Sequence, residues 1–294
     1  MQIRFGFREL EFPSDQLGQL RDSNALLGDV KALWQRFDED GYLLLRNLLE
    51  RETVLNARNI ILQHMQSQQA LQPDTPLLQG VMPRGGKSVP MMGRKGIARH
   101  PSVLAVLEHP ALFALFESLF AEPALTFPYK WLRGVGNEQY TGAHFDFVYM
   151  GRGSPNLYTV WIPFDDLSIV RGTLAICRGS HNLAGFARIR DTYGKMDVDR
   201  DGIEGWFERD PLNIVERFGG QWLGSDYRAG DVIIFGMHTM HASTTNLSNR
   251  FRLSCDVRFQ PASDPVDERW KRGGSGHYGQ TTRDIARARA EWGI

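Results

Sequence analysis

Two short stretches carry the side chains best suited to chemistry. In Gly142-Ala-His144-Phe-Asp146-Phe-Val-Tyr149 an imidazole and a carboxylate stand two residues apart. The surrounding text is β-prone, and residues i and i+2 of a strand share a face, so His144 and Asp146 are expected side by side. The second stretch, Gly236-Met-His238-Thr-Met-His241-Ala-Ser243, adds two imidazoles. Two His and one carboxylate make the facial triad of non-haem Fe(II) oxygenases, which leaves coordination positions open. His238 and His241 lie three apart and face oppositely on a strand, so only one can join. Eleven residues after His241 comes Arg252, in Asn249-Arg250-Phe-Arg252. A buried Arg in a strand needs an anionic partner, and its fork suits a carboxylate. Iron beside such an Arg is what 2-oxoglutarate requires, with the keto acid chelating the metal at one end and pairing with Arg at the other. Arg250 and Arg252 share a strand face, so direction alone does not separate them. Lys130 and Arg133, ahead of the metal motif, could also touch a carboxylate, but solvated strand ends are expected for both.

These groups need rigid elements to hold them. The first third reads helical. Ala25–Asp40 and Glu52–Gln66 place apolar residues at a period near 3.6, and Pro101–Ala121 is a third helical stretch. A short buried strand is expected at Gly41–Arg46. After residue 123 come β-prone runs separated by turn residues: Ala124–Gly134, Ala143–Met150, Leu157–Pro163, Gly172–Cys177, Asp231–Phe235, Met240–Thr245 and Phe251–Phe259. The pattern predicts one α+β domain over 1–294. Its mainly helical part is 1–122, its jelly-roll core 123–262 with an insert at 181–228, and its tail 263–294, where Thr281–Trp292 could form an amphipathic helix. Leu71–Arg99 has no periodicity and reads as a long loop, a type of segment that is often functional.

Here the sequence resembles the phytanoyl-CoA dioxygenase family of Fe(II)/2-oxoglutarate oxygenases. The ordered pieces are Asp40-Gly-Tyr-Leu-Leu-Leu-Arg, His144-x-Asp146 with Tyr149, Trp161-Ile-Pro-Phe-Asp-Asp, Gly172-Thr-Leu-Ala-Ile-Cys-Arg-Gly-Ser-His181, Gly230-Asp231-Val-Ile-Ile-Phe, and His241-Ala-Ser243-Thr-Thr-Asn246 ending at Arg252. Arg178 departs from the family's usual Pro and bears only on the local turn. The resemblance implies a double-stranded β-helix (jelly-roll, cupin-like) core with N-terminal helices packed on it. It implies that His144, Asp146 and His241 ligate Fe(II) and act as the catalytic centre. Arg252 and Ser243 would bind the distal carboxylate of 2-oxoglutarate, and Trp161 would line that pocket. Tyr149 is a candidate substrate wall. Family spacing selects His241 over His238 and Arg252 over Arg250, and places His181 in a structural turn. The implied reaction consumes 2-oxoglutarate and O₂, releases succinate and CO₂, and hydroxylates an unactivated C–H bond. Desaturation, epoxidation or rearrangement at the same iron is an alternative, as is a cupin-like metal enzyme without 2-oxoglutarate. Asp146 argues against halogenation, since the related halogenases lack this carboxylate.

The bulk composition bounds the partners. Thirty-four basic residues balance 34 acidic ones, so neither nucleic acid nor a membrane is an expected partner. A small-molecule substrate is expected. Two distant cysteines, with no signal-like start and no long apolar span, point to a reducing cytoplasm. Asp197–Glu208 fits the string of a calcium loop, yet Glu204 and Pro211 spoil the pattern, and a plain acidic loop near the active-site mouth is expected. The basic residues of 71–99, from Arg84 to Arg99, would suit an anionic substrate group or simply face solvent.

Overall fold

In the computed structural model, which describes residues 1–294, the chain opens with three short strands: β1 (Gln2–Phe5), β2 (Arg8–Glu11) and β3 (Leu17–Gln19). Then follow α1 (Val30–Asp40), β4 (Tyr42–Leu45), α2 (Arg51–Ser67), β5 (Val89–Pro90), α3 (Pro101–Leu107) and α4 (Pro110–Phe120). Next come β6 (Ala124–Thr126), β7 (Trp131–Val135), α5 (Phe147–Met150), β8 (Tyr158–Pro163) and β9 (Leu174–Arg178). The last elements are α6 (Ala187–Asp191), α7 (Leu212–Phe218), β10 (Gln221–Gly224), β11 (Val232–Gly236), β12 (His241–Ser243), β13 (Arg252–Pro261) and α8 (Ile285–Trp292).

Two sheets face each other. The larger runs β4-β11-β8-β13-β7-β5, with β6 beside the end of β13, and the smaller runs β12-β9-β10-β3. Strand pleating sorts the side chains between the layers. On β13, Leu253, Cys255, Val257 and Phe259 point outward into a cluster built with α1–α4. Between them, Arg252, Ser254, Asp256 and Arg258 must point to the other face, toward the small sheet. Tyr42, Leu44, Trp161, Ile233 and Phe235 on the inner face of the large sheet meet Leu174, Ile176 and Leu223 of the small one. The outer face of the small sheet is covered by β1, β2, the 181–228 segment and α8. The two cysteines are buried, free and on opposite sides of this sandwich. Their layers are separated by the inner core, so no disulfide can join them.

Several expected elements differ in detail. The first third is not only helical, because β1–β3 precede α1 and β3 pairs parallel with β10. Strand β10 lies inside the segment read as an insert. The run 124–134 is two strands, broken around Pro128. Pro101–Phe120 as one run is long and apolar enough to cross a membrane, with mean hydropathy 1.6. It is two helices, each opened by a Pro at its first position and capped by the imidazole of the preceding His. Both bury one face in the helical cluster. The largest difference is at 143–150. Only Ala143 and His144 make β-bridges, and the chain then turns into α5 with Asp146 at its N-cap in helical geometry. Asp146 is therefore delivered by a helical turn and not by strand pleating.

Gly41 ends α1 with φ +80, and a Cβ there would lie 2.6 Å from the His181 ring. That ring contacts the Asp38 carbonyl through Nε2 at 2.9 Å. His181 thus closes the end of α1, in keeping with its expected structural role.

Candidate active site

The site lies between the sheets, and backbone pairing assembles it. His144 and His241 form an antiparallel bridge in which each N–H donates to the other's carbonyl at 3.1 Å. Their rings stand side by side with centroids 4.1 Å apart. Each Nδ1 is tied to a backbone carbonyl, His144 to Gly142 at 2.8 Å and His241 to Thr239 at 3.0 Å. A carbonyl only accepts, so Nδ1 must carry the proton, and each Nε2 presents a lone pair. Those two nitrogens lie 3.9 and 3.8 Å from the same oxygen, Asp146 Oδ1. The three donor atoms sit within 4.8 Å of one another. Metal–ligand bonds of about 2.0–2.2 Å span such a triangle with small adjustment. Two imidazole nitrogens and one carboxylate oxygen on one face suit Fe(II). The backbone carbonyls that fix the imidazoles are the orienting contacts such ligands usually have.

Asp146 has its own support, which sequence reasoning missed. Its other oxygen, Oδ2, accepts from Thr159 Oγ1 at 2.5 Å and from Arg258 Nη2 at 3.0 Å. Thr159 and Arg258 are direct cross-strand partners on β8 and β13. Sheet register thus places both donors under one carboxylate and leaves Oδ1 free for a metal. The Arg258 guanidinium also lies over Trp131, 4.3 Å from the ring centroid. Burial works against an ionised Asp146, but Arg258 and the neighbouring imidazoles outweigh it and hold its pKa well below the usual range. Burial, then the adjacent His241, pushes the His144 pKa down to about 3.

That shift gives a prediction with a defined sign. His144 in the unfolded chain takes up its proton near pH 6.5, whereas in the folded protein it stays neutral down to about 3. Between those values the unfolded state binds more protons, so stability falls as pH falls. Thermal melts of the metal-free protein are expected to show Tm declining across this window. His144→Gln should flatten part of the decline. An unchanged slope in that variant would contradict the assignment.

The predicted co-substrate residues also come together. Arg252, Ser243, Trp161, Thr141 and Leu174 line a narrow cleft running inward from the triad. Arg252 is 2% exposed. It has no carboxylate within ion-pair distance among its contacts. Its Nη1 donates to Ser254 Oγ at 2.9 Å, its Nε is buried without a partner, and its guanidinium lies 5.9 Å from the Trp161 ring centroid. Burial, and then repulsion from Arg133, pushes its pKa down to about 10. A buried cation left unpaired is costly, and here it is aimed into a cleft that can take an anion. Ser243 follows His241 on β12, and its Oγ accepts from the Thr141 N–H at 2.8 Å.

The rival candidates fall elsewhere. His238 stacks on Phe147 and contacts the Gly194 carbonyl at 2.9 Å, away from the triad. Arg250 is exposed, whereas Arg252 is buried. Lys130 is fully buried and paired with Glu108 at 2.9 Å, so it is not at a solvated strand end. Arg133, also expected in solvent, reaches the triad's cavity. The acidic loop offers no calcium site. Asp197 is engaged by Arg152, and Asp199 by Arg269, His277 and the N–H groups of Tyr278 and Gly279. Its Trp206 does reach the active-site mouth.

A second cavity, of about 240 Å³, opens from the free side of the triad. Tyr129, Trp131, Tyr149, Trp206 and Met92 line it, with His277 at its edge. Tyr149 presents its ring edge-on to His144, with centroids 5.7 Å apart. Its hydroxyl occupies the space where Gly205 lacks a side chain.

Comparison with known proteins is consistent with this geometry. A sequence profile of the phytanoyl-CoA dioxygenase family matches residues 37–254. The 1-deoxypentalenic acid 11-beta-hydroxylase of Streptomyces exfoliatus is 27% identical over 263 residues, covering 85% of this chain and 88% of that protein. The same-named enzyme of Streptomyces arenae is 27% identical over 265 residues, with the same coverage of both chains. Among solved structures, the epimerase SnoN from nogalamycin biosynthesis, in complex with Fe³⁺, alpha-ketoglutarate and nogalamycin RO, superposes with a TM-score of 0.56 at 18% identity, over 86% of this chain and 93% of its own. EctD from S. alaskensis, in its apoform, gives 0.57 at 16%, over 93% and 91%. At such identities these two establish a shared fold only.

Proposed function

The chain belongs to the phytanoyl-CoA dioxygenase family, and from that premise we propose that His144, Asp146 and His241 hold Fe(II) and that Arg252 and Ser243 hold 2-oxoglutarate. The protein is a non-haem Fe(II)- and 2-oxoglutarate-dependent dioxygenase acting on a small organic molecule. Hydroxylation of an unactivated C–H bond is the outcome its hydroxylase relatives support. The observation that carries the residue assignment is the convergence of two Nε2 lone pairs and one free carboxylate oxygen beside a buried, unpaired guanidinium.

Bound iron supplies the oxidising chemistry, coupled to conversion of 2-oxoglutarate to succinate and CO₂. The chain's own residues do the positioning. The carbonyls of Gly142 and Thr239 fix the imidazole tautomers. Thr159 and Arg258 aim Asp146 Oδ1 at the metal position. Arg252 takes the distal carboxylate of 2-oxoglutarate with Ser243 beside it, and Trp161 walls that cleft. Tyr149 and Trp131 face the substrate. No side-chain acid or base is needed. We read the two facing sheets as a double-stranded β-helix of the jelly-roll, cupin-like kind, with the chain 1–294 as one domain. Nucleic acid and membrane are not partners in this reading, and the location is cytoplasmic.

The test is reconstitution. Anaerobically purified protein loaded with Fe(II) should consume 2-oxoglutarate and O₂ and form succinate, with stimulation by its substrate. A chelator should remove the activity and Fe(II) should restore it. Absence of iron binding, with no succinate above the metal-free control across a substrate panel, would refute the proposal.

A further inference from the structure

The substrate-side cavity holds a cation whose terminal nitrogens are not engaged by the chain. Arg133 on β7 lines both the inner cleft and the 240 Å³ cavity. Its Nε donates to Asp256 Oδ2 at 3.2 Å. Its two terminal nitrogens make no hydrogen bond in the chain, and 38% of its side chain is accessible. Arg258 differs, because its Nη2 is committed to Asp146 and its plane lies on Trp131. A free guanidinium on an open surface would mean little. This one faces a cavity walled by Tyr129, Trp131, Tyr149 and Trp206, where a charge interacts more strongly than in bulk water.

Charge balance points the same way. Three guanidiniums, of Arg133, Arg252 and Arg258, meet two carboxylates, of Asp146 and Asp256, and three minus two leaves one positive charge. Fe(II) and the 2-oxoglutarate dianion cancel each other, so one positive charge remains in the loaded site. The basic loop at 71–99 does not supply the anion-binding group. Arg94 lies over Tyr129 and donates to the Arg269 carbonyl, Arg99 pairs with Glu108, and of that loop Met92 lines the cavity. The cavity is small for a ligand pocket, since such sites usually run from about 300 Å³ upward.

We propose that Arg133 anchors a carboxylate of the substrate, and that the substrates are compact, mainly apolar carboxylic acids. The terminal nitrogens of Arg133 hold the carboxylate, and the apolar body rests against the aromatic wall. This inference rests on the iron and 2-oxoglutarate reading above.

The experiment uses the anaerobic Fe(II)–2-oxoglutarate protein and follows its visible charge-transfer band. The probes are adamantane-1-carboxylic acid and naphthalene-1-carboxylic acid, each beside its methyl ester. Each acid is expected to perturb the band with at least about tenfold higher affinity than its ester, the discrimination a charge-assisted hydrogen bond gives. Arg133→Gln should erase that preference, lowering acid affinity by at least about tenfold and by more than any change in 2-oxoglutarate affinity, and Arg133→Lys should restore part of it. Equal binding of acids and esters overturns the inference, and so does failure of both acids to bind. A third overturning result is an Arg133→Gln protein that loses 2-oxoglutarate but keeps the acid preference, which would place Arg133 on the co-substrate. Absence of the band in the unmodified protein would instead refute the iron and 2-oxoglutarate reading itself.

Discussion

Asp146→Ala is expected to abolish turnover and also to destabilise the fold by about 3–5 kcal/mol, the usual cost of breaking a buried ion pair from one side. The loss of activity follows from removing the one anionic donor of the triad. The loss of stability has a separate source. Asp146 Oδ2 is the partner of Arg258 Nη2, while Arg258 Nε and Nη1 are buried without hydrogen-bond partners. Removing the carboxylate takes the one hydrogen-bond partner from a guanidinium that is only 4% exposed and leaves Asp256 Oδ2, 3.9 Å from Nη1, as its remaining counter-charge. Calorimetry should show Tm lower by roughly 10 °C, since each kcal/mol shifts a chain of this size by about 2–4 °C. The double variant Asp146→Ala/Arg258→Met should regain most of the stability and none of the turnover. A single variant with unchanged Tm would show that the pair does not stabilise the fold.

Arg252→Met is expected to have the opposite signature. Truncating one partner of a buried charge pair costs about 2–5 kcal/mol of binding, so the KM for 2-oxoglutarate should rise roughly 30- to 4,000-fold. Stability should hold or increase, because in the free protein the Arg252 charge is buried with a serine hydroxyl as its hydrogen-bond partner and its Nε unpaired. Replacing an unpaired buried ion with an apolar side chain of similar length removes a desolvation cost. Such trade-offs, in which stability is forfeited for a binding group, are common at functional sites. Saturating 2-oxoglutarate should raise the Tm of the unmodified, iron-loaded protein, by about 2.7 kcal/mol of stabilisation at 100 times Kd. It should leave that of the variant unmoved. A variant that melts early, or one whose KM is unchanged, would remove Arg252 from its assigned role.

Particular residues show what the sequence made legible. His144-x-Asp146, His241 and Arg252 were readable because their types are rare in buried strand text and their spacing is local. Alternation along a strand explains His241 and Ser243 on β12, but Asp146 arrives through the turn into α5. Thr159 and Arg258 were invisible because their role depends on the register of β8 against β13, a relation across about a hundred residues that no local pattern encodes. The orientation of Arg133 is hidden for a related reason. Its position near a strand end suggested solvent, whereas sheet pairing turns it toward the cavity between the layers. Strands β1–β3 and β10 are only three or four residues long, too short for periodicity to register. Helices α1 and α2 were legible because they sustain a 3.6-residue pattern over 11 and 17 residues.

The central claim is that His144, Asp146 and His241 together form one Fe(II) site that also takes 2-oxoglutarate. Anaerobic titration of the metal-free protein with Fe(II) in the presence of 2-oxoglutarate, followed by visible absorption, tests it most directly. The account predicts a charge-transfer band that saturates at one iron per chain, persists in His238→Ala and disappears in His144→Ala. A band that survives His144→Ala, or no band in the unmodified protein, would contradict it.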